Sequence, residues 1–270
     1  MSRNRLNSSE MGMKRVGRET WAVAQRILTE LLRRRRSLAF WGFFPVSILL
    51  LIGMILTGRT DLTIPEAFEQ AAVSALVGSG FFFSGVGGTV STIVAEREQG
   101  TLKRLFLSPM SGLSYFLGIF LAYILVATAQ VILVTGVAAY LGARYHGNVL
   151  LGLLLFGLTV AGYVGAGFIL GTQLARRTDD VNALVAAVGL PFVIIGGTFL
   201  PTTLFPENLL EVAKYTPVYH MNEGLLGVAI QGYSWQEIGE NLGYLAIFTG
   251  VMVVGGWLSY LQMVQRERQL

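Results

Sequence analysis

The 270-residue sequence contains no cysteine, two histidines, and only 13% charged residues. Without cysteine there is neither a disulfide framework nor a thiolate metal site. The charge deficit is large, because soluble domains carry about 25% charged residues. A water-soluble domain of this size would need more polar surface to cover its core. No Gly-x-x-x-x-Gly-Lys-Ser/Thr run is present, so the chain has no phosphate loop of its own. The Gly-rich run from Gly78 to Gly88 contains no lysine and reads as helix-packing surface. The first apolar run starts near Leu38 and is followed by no small-residue cleavage pattern, so no secretory signal is expected. No paired aspartates, Ser-Lys pair or histidine cluster sits within an apolar segment, so nothing suggests an intramembrane enzyme.

What is abundant is apolar length. Hydrophobic residues make up 53% of the chain, and mean hydropathy is +0.59. A membrane crossing needs about 20 mostly apolar residues. Six segments qualify: Leu38–Thr57, Ala71–Ala95, Leu113–Leu141, Val149–Ala175, Val181–Leu200 and Leu242–Gln262. None of them holds a charged residue. Proton- and ion-coupled transporters usually keep ionisable groups at membrane depth, which weighs against a secondary transporter.

The net charge of +4 and a pI near 9.5 do not call for nucleic acid; the basic residues follow membrane topology. If the N-terminus is cytoplasmic, the cytoplasmic segments hold 17 of the 20 Lys and Arg residues, and only Arg59, Arg144 and Lys214 lie outside. The positive-inside rule therefore predicts an even number of spans with both termini inside. The expected class is an all-α integral membrane protein with six transmembrane helices. Its divisions are a tail with an interfacial helix over 1–37, a six-span domain over 38–262 and a short cytoplasmic tail over 263–270.

Three connecting segments carry further patterns. Over Glu19–Arg36, Trp21, Ala24, Leu28 and Leu31 recur at helical spacing ahead of the run Arg33, Arg34, Arg35, Arg36. That predicts an amphipathic helix at the cytoplasmic interface. Between spans two and three, Glu96, Arg97 and Glu98 precede Gly100, a helix breaker, and Thr101, a fair N-cap. Leu102, Leu105 and Phe106 then share one helical face, Lys103 and Arg104 lie off it, and Pro109 stops the helix. Between spans five and six, Pro201, Pro206 and Pro217 punctuate two short apolar helices, the second starting at Tyr219. These are expected to dip back toward the membrane. His220 stands alone and is expected to be structural. Ser74, Gly78, Ser84 and Gly88, with Gly167 and Gly171, are expected to pack helices within the chain. The default surroundings of Phe81, Phe82 and Phe83 are lipid.

The stretch EREQGTLKRLFLSPMSGLSYFLG, from Glu96 to Gly118, resembles the cytoplasmic coupling segment of ABC-2 type transporter permeases. The stretch from Gly196 to Gly227, with Leu200-Pro201 and Thr216-Pro217, is similar to that family's segment between spans five and six. Six spans and inside termini fit as well, nearest the drug-exporter branch with the daunorubicin-resistance permeases and their cyanobacterial and plastid relatives. Thr216 stands where many members have asparagine. The resemblance implies a permease subunit of an exporter in the inner (plasma) membrane, moving an amphipathic drug-like compound, lipid or glycan. It implies two six-span subunits, a homodimer or else a heterodimer, and two copies of a separate ATPase that bind ATP and Mg. This chain would then hold no cofactor or metal and have no catalytic residue. The implied ATPase-coupling contacts are Glu96, Arg97, Glu98, Gly100, Thr101, Leu102, Arg104, Leu105, Phe106 and Pro109. A channel or secondary transporter without an ATPase, or a membrane assembly factor, is the alternative.

Overall fold

The computed structural model describes residues 2–102, 104 and 110–269. Among these residues every regular element is helical. We label them α1 (Ser2–Arg33), α2 (Arg35–Arg59), α3 (Ile64–Glu98), α4 (Gly112–Tyr140), α5 (Val149–Leu174), α6 (Thr178–Ile195), α7 (Glu207–Ala213), α8 (Pro217–Ala229) and α9 (Gly239–Gln269). Five helices are long and apolar enough to cross a membrane: α2, α3, α4, α5 and α9. Helix α6 starts beside the end of α3, where Thr178 meets Glu98, and is shorter, 18 residues with Pro191 inside it.

Helix α3 is the axis. Its apolar stretch is almost wholly buried, whereas only a small share of those of α2 and α9 is buried. The reason lies in its small residues. Over Ala75–Gly88 α3 widens into π-type turns, and glycines there admit neighbours to backbone distance. A Cβ on Gly78 would lie 2.3 Å from Thr198 Oγ1, and one on Gly88 would lie 2.4 Å from the Tyr123 ring. Gly167 and Gly171 of α5 meet α3 in the same manner, at Thr89 and Val90. The small residues therefore pack helices within the chain, as expected. The Phe cluster does not face lipid as expected: Phe81 and Phe82 are buried, and Phe82 fills the space beside Gly189. Phe83 is half-buried and meets the Phe44 ring edge-on at 5.3 Å.

Helix α2 contains Pro45, which cannot donate to the carbonyl of Trp41 four residues earlier. In a bilayer no water is at hand to replace that bond. Gln130 of α4 supplies it: its Nε2 donates to Trp41 O at 3.0 Å. Its Oε1 lies 3.0 Å from the buried Ser84 hydroxyl of α3. This buried glutamine joins three helices.

One boundary and one helix face differ from the sequence expectation. The second crossing starts at Ile64, not Ala71, because Thr63 and Glu66 form a capping box with Pro65 in the first turn. The helix therefore carries Glu69 near its N-terminal end, a charge absent from the expected span. On α1 the buried stripe is Val23, Ala24 and Ile27, packed against α4, where Gly118 leaves a notch for Val23. Leu28 and Leu31 flank it, while Trp21 points outward, 51% exposed. Helix α1 ends at Arg34, whose φ of −86° and ψ of 69° leave the helical region. The four exposed arginines thus form the corner from which α2 rises.

Candidate functional site: a three-way clamp at the basic end

The basic ends of the helices meet at the end of α3. Within α3 the side chains of consecutive residues diverge by about 100°. Glu96, Arg97 and Glu98 therefore face three directions, and each finds a different helix.

Glu96 is buried. It pairs with Arg26 of α1 and accepts a hydrogen bond from the Tyr115 hydroxyl of α4 at 2.5 Å. Tyr115 in turn stacks on Tyr260 of α9, with ring centroids 5.5 Å apart. Arg97 reaches the end of α5. Its guanidinium donates to the carbonyls of Ala175 at 3.1 Å, Gly171 at 3.2 Å and Thr172 at 3.3 Å, and it contacts Met263 Sδ of α9 at 3.0 Å. Terminal carbonyls of a helix lack intrahelical partners and carry partial negative charge, so a cation is the fitting cap. Glu98 does the converse at the start of α6: it accepts from the Thr178 backbone N–H at 3.1 Å and from its hydroxyl.

A second tie joins α1 to α4. Glu19 accepts from the Ser111 backbone N–H at 3.1 Å and the Ser114 hydroxyl at 2.8 Å, at the N-terminus of α4, and pairs with Arg15 at 2.8 Å. The Arg15 guanidinium, then these two donors, hold its carboxyl well down, from 4.5 to about 2. Sequence reading missed this anchor, although Glu19 lies on the stripe next to Val23.

Beyond the clamp, Gly100 ends α3 in the left-handed region at φ 65°, its N–H bonded to Arg97 O at 3.0 Å. Thr101 and Leu102 begin a new helical turn. Leu102 is buried in the chain's own core, and Arg104 is exposed. Lys103, Leu105, Phe106 and Pro109 lie outside the described residues. Glu96, Arg97 and Glu98 thus have partners within the chain, although Glu98, like Arg104, is exposed.

At the opposite end of the bundle, Pro206 precedes α7 and Pro217 opens α8, with Thr216 capping it at Tyr219 N. Helix α8 buries Val218, Met221 and Asn222 in the bundle. Pro201 and the half-buried Tyr219 border a polar cavity of about 680 Å³ that also reaches Ser74, Asn222 and Glu223. His220 proves structural: its ring nitrogens contact Asn241 Oδ1 at 2.7 Å and Lys214 O at 2.8 Å, and it stacks on Tyr244 at 4.0 Å. Among the described residues no group of acidic, His or Cys side chains could hold a metal.

A bundle of long apolar helices sharing one charged end defines a multi-pass membrane protein. Residues 60–258 match the model of the ABC-2 family transporter proteins, and the chain belongs to that family of transport permeases. It is 26% identical over 163 residues to the probable multidrug ABC transporter permease YbhR of Escherichia coli, covering 60% of this chain and 44% of the relative. It is 22% identical over 170 residues to the inner membrane transport permease YhhJ of the same bacterium, covering 62% and 44%. It is 24% identical over 181 residues to ABC transporter G family member 20 of Dictyostelium discoideum, covering 67% and 24%. The chain spans less than half the length of these curated relatives.

Proposed function

We propose that this chain is the membrane subunit of an ATP-driven exporter whose ATPase is a separate polypeptide. In this reading α6 completes a set of six crossings, both termini are cytoplasmic, and the protein sits in the bacterial inner membrane. Two copies form the pathway and two ATPase subunits dock beneath, binding ATP and Mg. The transported class is an amphipathic or hydrophobic compound, in keeping with the name of the multidrug relative.

The observation that carries the reading is the clamp. The segment after Gly100 is joined directly to a helix end that grips α1, α4, α5 and α6. A force applied there is transmitted to four helices at once. Such a rigid junction is what a motor outside the membrane requires to bias the bundle between two packings. The contacts therefore divide into two kinds. Arg104, with Leu105 and Phe106, touches the ATPase. Glu96, Arg97 and Glu98 position the helices that respond.

Affinity pull-down of the tagged protein in mild detergent tests both parts. Wild type is expected to recover an ABC ATPase, and Leu105→Glu with Phe106→Glu to lose it while still inserting. Arg97→Gln is expected to retain the ATPase but to lose the transport that depends on it. Recovery of no ATPase by wild type would sink the reading. Retention by the double variant would overturn the docking assignment.

A further inference from the structure

A second cavity of about 690 Å³ lies at the end of the bundle away from the clamp, among α3, α4, α5 and α8. Its volume falls in the range of about 300–1,000 Å³ typical of small-ligand sites. The wall is apolar and includes Leu76, Phe81 and Phe156. Ile132 on α4 and Val149 and Leu153 on α5 also line it, and they are 68%, 64% and 59% exposed. The cavity therefore opens sideways between α4 and α5, onto the apolar surface of the bundle. In a bilayer that mouth faces lipid.

Its polar end is bipolar. The Glu69 side chain is 8% exposed and borders the cavity. Its Oε1 takes the Arg144 backbone N–H at 2.8 Å and faces His146 Nε2 at 3.5 Å. Both contacts fall on one oxygen, which leaves Oε2 for a ligand. The Arg144 side chain also borders the cavity and is exposed. A carboxylate and a guanidinium thus stand together where an apolar slot meets the bundle's end.

We propose that this cavity is a binding site for one zwitterionic glycerophospholipid. An acyl chain enters between α4 and α5, the headgroup ammonium faces Glu69 and the phosphate faces Arg144. Arginine suits phosphate because its planar fork matches the oxygens. An anionic headgroup would lack the ammonium and would meet the Glu69 carboxylate. The site is separate from the clamp, and it stands whether or not the chain is driven by an ATPase.

Native mass spectrometry of the full chain tests it, with phosphatidylethanolamine and phosphatidylglycerol as probes added in equal amounts to delipidated protein. One phosphatidylethanolamine per chain is expected to be retained, with about a tenfold preference, the worth of one charge-assisted hydrogen bond. Glu69→Gln should erase the preference. Gly136 borders the cavity, and a Cβ there meets nothing within 4 Å. Gly136→Phe should therefore fill the slot and abolish retention of both lipids without lowering the unfolding temperature. Equal retention of the two lipids by wild type, or unchanged retention in Gly136→Phe, would overturn the proposal. So would conversion of a dimer to a monomer by Gly136→Phe with no change in bound lipid, which would make a second copy the occupant.

Discussion

Single side chains hold the basic end together, and two of them give sharp expectations. Removing one partner of a buried ion pair leaves an uncompensated charge and costs about 3–5 kcal/mol. Arg26→Ala should fall near the low end of that range, because Arg26 is 29% exposed while Glu96 is only 6% exposed. Adding Glu96→Gln to Arg26→Ala should restore part of the loss, since a neutral amide needs no cation; thermal unfolding in detergent reads both. Glu19 gives a pH dependence. Its carboxyl is depressed from 4.5 to about 2 in the folded chain. The tie between α1 and α4 is then fully present above about pH 4.5 and is lost as pH falls toward 2. Protease access to α1 should rise across that window in wild type. In Glu19→Gln it should already be raised at neutral pH and change little.

At the scale of the helix, packing depends on where glycine meets backbone. A Cβ on Gly165 of α5 would lie 2.6 Å from the Met252 carbonyl carbon of α9, whereas one on Gly250 would meet nothing within 4 Å. Overpacking of a tight core costs about 1–3 kcal/mol or more. Gly165→Leu should lower the unfolding temperature markedly, and Gly250→Ala should leave it within error. The crossing helices were legible from apolar length alone, because hydrocarbon permits little else. The start of α3 was not. Glu66 and Glu69 suggest a loop to a hydropathy reading, and only the Thr63 cap reveals them as helix. The stripe on α1 was read one residue late, since the notch at Gly118 that receives Val23 belongs to another helix. Six crossings were expected and five are long enough. Helix α6, short and interrupted by Pro191, is where apolar length says least.

Over the whole molecule, sequence singled out the charged run at the end of α3 but not its partners within the chain. Glu96, Arg97 and Glu98 read as surface charges beside a soluble partner, because a run of alternating charges at a helix end is usually solvated. What gives each a partner is the convergence of α1, α5 and α6 on one point, a property of the tertiary structure that buries Glu96 and part of Arg97 and leaves Glu98 exposed beside Thr178. That convergence makes chain length upstream of Ala95 a matter of phase. One residue inserted into the last turns of α3 would rotate the helix end by about 100°. Glu96 would leave Arg26, Arg97 would leave the carbonyls of α5, and Glu98 would leave Thr178, all together. The loop from Leu141 to Asn148 carries no such phase, and length changes there leave every one of these pairings intact. The stretch between Thr89 and Gly100 should therefore have a fixed length wherever this arrangement is inherited, even where its letters change.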